Sequence, residues 1–396
     1  MSLFTTPAPI TITCNNRLAP YLAGEVEALG FKAEETFVTG LRLTGTLTDC
    51  IPLNLSLRCA SQVLYSLHAF EAADADALYQ GLSNYPWETL LPEDGYFSVT
   101  SNVLNDTINN NLFANLRVKD AIVDRLRDLR GVRPSTGAEL SGAVIHLHWK
   151  DQAAEVFVDT SGTSLARHGY RKLPGRAPML EALASATILA TRWDRTSPFV
   201  NPMCGSGTLA IEAALIATDT RPGLFRDNFS FMHIIGYDEE VYLKERGRLE
   251  GLIKDAVPGL RIIATDYSTV AVEAARKNAR AAGVEDLIEF SVCDFAETEV
   301  PAGGRGIMMV NPEYGDRLGD VAELEGTYGR IGDFMKKRCG GYWGYVFTGN
   351  MELAKHIGLK AKRRIEFYTS KIDSRLLEYE LYEGSRKPLT NTPESE

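Results

Sequence analysis

A chain of 396 residues exceeds what one hydrophobic core commonly supports, so two or three domains are expected. A formal net charge of -10 excludes a surface broadly coated for phosphate binding, and the lack of any 18-residue apolar run excludes a helical membrane span. Met1 to Thr13 lacks the basic start and apolar stretch of a secretory signal, and the six scattered cysteines (Cys14, Cys50, Cys59, Cys204, Cys293, Cys339) form no C-x-x-C pair, so a reduced, cytoplasmic protein without a zinc site is expected.

In chain order, Ile10 to Cys14 alternates like a strand, and Leu18 to Leu29 has helical spacing until Gly30 stops it. Strands are predicted at Phe37 to Leu43, Tyr96 to Thr100, Ala143 to Trp149 and Ala153 to Asp159. Helices are predicted at Ala60 to Phe70, Ala75 to Gln80 and Val118 to Leu129. His146 and His148 share a strand face, but with no third ligand nearby they read as structural and no metal is expected. The segment Ser161 to Pro178, rich in Gly, Pro and basic residues, reads as a linker. After it, helices alternate with fully apolar strands, the mark of a parallel sheet covered on both faces. A helix over Met179 to Thr191 leads to strands at Ser197 to Val200, Arg261 to Thr265, Ile288 to Cys293, Gly306 to Val310 and Tyr342 to Thr348, with a helix over Val270 to Ala282 among them. Arg363 to Ser370 and Leu376 to Glu383, joined by Asp373-Ser374, read as an antiparallel hairpin, and the polar tail from Ser385 is expected to be disordered.

Two stretches carry the chemistry: Asn201-Pro-Met-Cys-Gly-Ser-Gly-Thr208 and Asn311-Pro-Glu-Tyr314, each after an apolar strand. In the first, Gly205 and Gly207 carry no side chain to block a close backbone approach, and the helix opening near Thr208 aims unpaired N–H groups at the same place. In the second, the Asn311 amide oxygen, the Pro312 carbonyl and the Tyr314 ring make a clamp for a planar group bearing an NH2. Ligands of a doubly wound sheet lie beyond the carboxyl ends of its strands, where Asn201, Asp266 and Asp294 stand. Asp266 is placed to accept from ribose hydroxyls and Asp294 from an adenine amino group, although either could serve only as a helix cap. The run Gly205-x-Gly207-x-x-Ala210 also fits a dinucleotide fingerprint, but the next strand end lies beyond a long insertion, which leaves hydride transfer a remote alternative. No Gly-Lys-Ser/Thr is present for a P-loop.

The basic residues are clustered. From Arg330 to Arg375 eleven (Arg330, Lys336, Lys337, Arg338, Lys355, Lys360, Lys362, Arg363, Arg364, Lys371, Arg375) face four acids (Asp333, Glu352, Glu366, Asp373). From Arg117 to Arg133 six face three. Local basic patches on an acidic protein fit selective contact with a folded nucleic acid, with Lys119, Arg125, Arg363 and Arg364 as the expected RNA contacts, while the plain alternative is a solvated face of mixed pairs.

Asn-Pro-Met-Cys-Gly-Ser-Gly-Thr followed by Ile211-Glu212-Ala213-Ala214 resembles the first motif of class I S-adenosylmethionine-dependent methyltransferases. More closely it resembles the family that joins a THUMP domain to such a domain, the bacterial 23S rRNA guanine-N2 methyltransferases often labelled N6-adenine-specific DNA methylases. The likeness runs through Arg167-His168-Gly169-Tyr170-Arg171, Ala177-Pro178, Pro222-Gly223 with Phe229 and Phe231, Asp266, Ala275-Arg276-Lys277-Asn278-Ala279, Asp294 and Asn311 to Leu318. It also takes in Ala60 to Phe70 and Lys119 to Ile122. It implies an α/β fold: a Rossmann-like class I domain over 179–384, a seven-stranded mostly parallel sheet with an antiparallel C-terminal hairpin, preceded by an α+β region. That region would comprise a ferredoxin-like part over 1–58 and a THUMP RNA-binding domain over 59–160, with a linker at 161–178 and a tail at 385–396. It implies S-adenosyl-L-methionine held by Asn201, Met203, Cys204, Gly205, Gly207, Thr208, Asp266 and Asp294, with Asn311, Pro312 and Tyr314 catalytic on an unpaired or flipped purine. Two positions depart from the family pattern: Asn201 stands where Asp is usual, and Glu313 where a second Pro is usual. An adenine-N6 enzyme and a non-catalytic RNA-binding protein with a degenerate amine motif remain the alternatives.

Overall fold

The computed structural model describes residues 2–106, 108, 110–173, 178–315, 321–369 and 372–383. Of the features above, Ala177, Asp316 to Leu318, the 370–371 turn and the tail from 385 lie outside the described residues. Two compact units are formed: Met1–Lys172 with Met179–Ala186 and Thr218–Asp255, and Leu173–Pro178 with Thr187–Ala217 and Ala256–Glu396. Among the described residues no helix is long and apolar enough to cross a membrane.

The first unit is built on β1 (Ala8–Cys14), β2 (Glu35–Phe37), β3 (Gly40–Gly45), β4 (Ala60–Glu71), β5 (Tyr96–Leu104), β6 (Ser135–Thr136), β7 (Ala143–Lys150) and β8 (Ala153–Asp159), in the order β2-β3-β1-β4-β8-β7-β5-β6. Helices α1 (Ala19–Ala28), α2 (Leu47–Ser56), α3 (Ala75–Ser83) and α4 (Asn111–Arg130) accompany it.

Three expectations are corrected here. Ala60 to Phe70 is strand, not helix: Ala60, Val63, Leu64 and Leu67 recur at helical spacing, but the segment pairs with β1 on one side and β8 on the other, and a register shift between Ser66 and His68 breaks the alternation that would have marked a strand. Phe37 to Leu43 is a hairpin rather than one strand. Gly40 lies at φ 156, where a Cβ would stand 2.2 Å from the Ile12 carbonyl oxygen, so only glycine lets β3 approach β1 there. Helix α2 was not among the predicted elements; a capping box, in which Asp49 N donates to Thr46 Oγ1 at 3.2 Å and Thr46 N to Asp49 Oδ2 at 2.7 Å, starts it, with Pro52 inside.

The expected linker does not run free over its first half. Thr160 and Ser161 are fully buried, the Ser161 hydroxyl accepts from Val63 N at 2.9 Å, and a ring nitrogen of buried His168 lies 2.9 Å from the Arg58 carbonyl oxygen. Segment 218–255, with α7 (Glu239–Glu250), packs in the same unit. Val144 N donates to Ser230 Oγ at 2.8 Å, and a Cβ on Gly223 would stand 2.4 Å from Leu55 Cα.

The second unit holds a seven-stranded sheet of β9 (Phe199–Pro202), β10 (Ile262–Asp266), β11 (Ile288–Val292), β12 (Ile307–Val310), β13 (Trp343–Thr348), β14 (Arg363–Thr369) and β15 (Ile372–Glu380), in the order β11-β10-β9-β12-β13-β15-β14. The first five are parallel, and β14 and β15 form an antiparallel hairpin, as expected. Asp373 and Ser374 lie inside β15, paired with Tyr368 and Phe367, so they do not form the turn. Its helices are α6 (Thr208–Ala217), α8 (Thr269–Ala281), α9 (Val321–Arg338) and α10 (Met351–Lys355); α5 (Glu181–Leu189) begins in the first unit and ends in this one. All ten residues of α6 and all four of β12 are buried, the apolar layer that fixes where the strand ends lie. Each fully buried Val, Ile or Met contributes about 1.5–3 kcal/mol.

Candidate active site

Everything in the site hangs on the carboxyl edge of the parallel sheet. Strand β9 stops at Pro202 because the next residues leave the extended region: Met203 has φ 58, Gly205 φ 55 and Gly207 φ 85. A left-handed Met is strained, and such strain gathers where a loop is shaped for a ligand. The two glycines differ in their surroundings. At Gly205 nothing lies within 4 Å of a would-be Cβ, so the loop faces open space. At Gly207 a Cβ would stand 2.9 Å from Ala275 Cβ, so that glycine lets the loop pack on α8.

Asp266, at the end of β10 and 8% exposed, holds this loop. Its Oδ2 accepts from Gly205 N at 3.0 Å and its Oδ1 from Ser268 N at 3.0 Å. Each carboxylate oxygen has a second lone pair, so the carboxylate can brace the loop and still accept a hydroxyl. Asn278 on α8 adds a second brace: its Nδ2 donates to Ser206 O at 3.1 Å and Leu173 O at 2.9 Å, and its Oδ1 accepts from Leu173 N at 3.0 Å. The Cys204 backbone N donates to Thr265 O at 2.8 Å, and burial pushes the Cys204 thiol far above its usual range, so the side chain is inert at neutral pH. Thr208, buried, opens α6.

Asn201 is 1% exposed; its Nδ2 donates to Met309 O at 2.8 Å, tying β9 to β12. That bond accounts for the departure from Asp, since an ionised carboxylate has no proton to offer a carbonyl. The Asn201 Oδ1 is buried with no hydrogen-bond partner.

Asp294 follows β11 and caps the short helix after it, Ala296 N donating to Oδ1 at 2.9 Å. Arg330 on α9 donates to the same oxygen at 2.6 Å, and its guanidinium lies 4.7 Å from the Phe295 ring centroid. The Arg330 hydrogen bond, ahead of the opposing effect of burial, holds the Asp294 carboxyl below its usual range. One oxygen is therefore taken, and Oδ2 is left for another donor. A residue that sequence reasoning missed stands close by in the chain. Tyr267, directly after Asp266, is 80% exposed, with Val270 at 77%. Its signal was an aromatic beside the strand-end acid, and only the observed exposure separates it from a core residue.

At the neighbouring strand end, Asn311 follows β12. Its Oδ1 is buried and has no donor, an expensive arrangement at about 1–3 kcal/mol that points to an N–H arriving from elsewhere. Pro312 is buried, Tyr314 is half-buried with its ring 3.3 Å from where a Cβ on Gly349 would be, and Asn350 Nδ2 donates to Tyr314 O at 3.3 Å. Glu313 is exposed, so its charge is screened by solvent.

The expected RNA contacts fare unevenly. All three guanidinium nitrogens of Arg125 are engaged, Nε and Nη2 on Glu88 at 2.8 and 2.7 Å and Nη1 on Ser83 O at 3.0 Å. Arg363 is bound to Glu378, which is fully buried and also accepts from Tyr345 Oη at 2.9 Å. Both arginines thus have a part in holding the fold, which the sequence reading did not foresee. Arg364 is exposed and Lys119 half-buried, with no ion pair for either among the described residues. Much of the rest of the C-terminal cluster is paired too, Lys337 with Asp333, Lys355 with Glu352, Lys362 with Glu380 and Arg375 with Asp373.

Among the described residues no three His, Cys, Asp or Glu side chains stand together as a metal site, and His146 is bonded through Nδ1 to Thr100 Oγ1 at 2.8 Å.

Residues 168–378 match the family described as RMKL-like, methyltransferase domain, residues 72–159 the THUMP domain and residues 9–64 the RlmL ferredoxin-like domain. The chain is 37% identical over 388 residues to the ribosomal RNA large subunit methyltransferase K/L of Syntrophotalea carbinolica, a match covering 95% of this chain and 54% of that protein. It spans about half the length of the curated relatives it matches. The crystal structure of SMU.472 complexed with SAH superposes with a TM-score of 0.86 at 26% identity, over 96% of this chain and 100% of that one. A predicted N6-adenine-specific DNA methylase from Listeria monocytogenes does so with a TM-score of 0.84 at 29% identity, over 95% and 97%. With that family's domain matched over more than half of its length, the chain belongs to the RMKL-like methyltransferase family.

Proposed function

We propose that this chain binds S-adenosyl-L-methionine and transfers its methyl group to an exocyclic purine amine of RNA, N2 of a guanine in 23S rRNA, in the cytoplasm. The observation that carries the reading is the buried, donorless Oδ1 of Asn311 at a strand end beside the glycine loop. The residues fit such a cofactor: open space at Gly205, a braced Asp266, the free Oδ2 of Asp294, the exposed Tyr267 ring and the donorless Oδ1 of Asn201. When bound, the cofactor supplies an electrophilic methyl on a sulfonium.

The chain's own residues make the amine reactive. A purine NH2 is a poor nucleophile because its lone pair is delocalised into the ring. Asn311 Oδ1 and the Pro312 carbonyl accept its two hydrogens, which favours a tetrahedral nitrogen whose lone pair can point at the methyl. Tyr314 offers a face for stacking of the unpaired base. As the N–C bond forms, the methyl–sulfur bond would break with its electron pair left on the neutral thioether, the amine's extra proton would leave to solvent, and the residues' share of catalysis is mostly positioning.

Methyl transfer from radiolabelled cofactor to RNA of a strain lacking this protein tests the reading, with nucleoside mass spectrometry to identify the product. N2-methylguanosine in 23S rRNA is expected. N6-methyladenosine would instead favour the adenine reading, in keeping with the name of the Listeria neighbour, and no transfer at all would leave a non-catalytic binding protein.

A further inference from the structure

The first unit contains a cavity of about 550 Å³, lined by none of the strand-end residues discussed above, with Asn15, Thr163, Ser164, Arg167, Leu180 and Arg226 in its wall. Arg226 is 9% exposed. Its Nη2 donates to Ser161 O at 3.0 Å, Thr163 O at 2.7 Å and Thr163 Oγ1 at 2.6 Å. Its Nη1 is buried without an acceptor, and Nε has none among the described residues. No carboxylate forms a direct ion pair with it there: Asp159 is near enough to act on its charge, but its own oxygens accept from Gln62 Nε2 at 2.6 Å and Ser161 N at 3.1 Å. Burial lowers the Arg226 pKa to about 10, which leaves it charged at neutral pH. A buried cation with no carboxylate bonded to it, held by neutral oxygens and lying 4.8 Å from the Phe229 ring centroid, is costly to the fold, and such cost is commonly offset by a function. Arg167 stands on the same wall, exposed and without an ion pair among the described residues. Leu180 and Leu140 give the cavity an apolar side.

We propose that this cavity is a second binding site, which takes a phosphate group carried on a nucleoside-sized body. The Arg167 guanidinium contacts the phosphate, the Arg226 charge draws it in, the Ser164 hydroxyl stands beside it, and the sugar and base lie against the leucines. Arginine suits this because its planar fork matches phosphate oxygens and its charge persists at any physiological pH. The phosphate can come from an RNA backbone or from a free nucleotide. The RNA source rests on the function proposed above; the site itself does not.

Calorimetric titration of the full chain with GMP and with guanosine isolates the phosphate. Wild type is expected to bind GMP about tenfold more tightly than guanosine, and Arg167→Met and Arg226→Lys to erase that difference while cofactor affinity stays unchanged. Arg167→Met removes no bond within the fold, so it keeps the test valid if Arg226→Lys is unstable. Titration with rRNA from a strain lacking the protein separates the two sources. Weaker RNA binding in Arg167→Met, with a salt slope lower by about one, supports a backbone phosphate; unchanged RNA binding with a lost GMP preference supports a free nucleotide. If wild type binds no RNA yet keeps its GMP preference, the RNA reading fails and the site stands. Equal affinity for GMP and guanosine in wild type, or a preference that survives both substitutions, overturns the proposal.

Discussion

At the scale of single residues, two asparagines carry the most specific expectations because each leaves an oxygen unsatisfied at the same sheet edge. Asn311→Ala removes one acceptor from the reacting nitrogen and touches neither the glycine loop nor Asp266. Turnover should fall about 100- to 1000-fold, the typical effect of one preorganised hydrogen-bonding group, while calorimetry finds cofactor affinity within a factor of about two. A rate near wild type would remove Asn311 from the mechanism. Asn201→Ala should act on the scaffold as well as on the cofactor, whose site its Oδ1 adjoins in the proposal above. It deletes the bond to Met309 O that ties β9 to β12 and should cost about 1–3 kcal/mol in chemical unfolding. Both asparagines were legible from the motifs, because strand-end chemistry is a local pattern. Their orphaned oxygens were not, since hydrogen-bond satisfaction depends on every neighbour in space.

At the scale of elements, the loop after β9 and helix α8 form one packed piece. Gly207→Ala should lower stability by about 1–3 kcal/mol, since the new methyl meets Ala275 at 2.9 Å and the backbone sits at φ 85. Gly205→Ala, with open space around its Cβ, should cost less in stability and more in cofactor affinity; thermal melts and titrations of the pair should rank in opposite orders. In the sheet of the first unit, β7 carries His146, whose pKa burial lowers to about 4. Between about 6.5 and about 4 the unfolded chain binds the proton and the folded one does not, so this group's contribution is fully present above 6.5 and is lost as pH falls through that window. Asp159 on β8, raised by burial to about 6, works the other way, because the folded state holds its proton between about 6 and 3.8. The difference between wild type and His146→Gln isolates the histidine: the variant should lose less stability between pH 6.5 and 4, and parallel pH profiles would refute the assignment. The β4 misreading belongs to this scale too. A bulged strand paired on both sides shows no clean alternation, and a helix-like spacing took its place.

For the whole molecule, the net charge of -10 hides how its cations are used. Adjacent residues on β14 make the contrast testable. Arg363→Ala strips a buried carboxylate of one of its two arginine partners, Arg192 Nε remaining at 3.2 Å, and should destabilise the protein by about 1–3 kcal/mol. Arg364→Ala should leave the melting temperature within about 1 °C and lower the salt slope of RNA binding by about one. Equal effects on stability would mean that Glu378 is satisfied without Arg363.

What the amino-acid sequence determined alone is what short-range chemistry decides. The alternation of apolar strand and helix, the glycine-rich turn between strand β9 and helix α6 and the acids and amides near successive strand ends all depend on residues within a few positions of one another, and the structure has these elements in that order. Only the tertiary structure decided which arginines are spent on carboxylates within the fold, that Gly207 packs on α8, that residues 218–255 pack with the N-terminal unit, and that Arg226 lies buried with an unmet donor. Each of these depends on partners tens to hundreds of residues away. Charge pairing, close packing and polar satisfaction depend on distance in space, and the chain's order does not encode that distance in any local pattern.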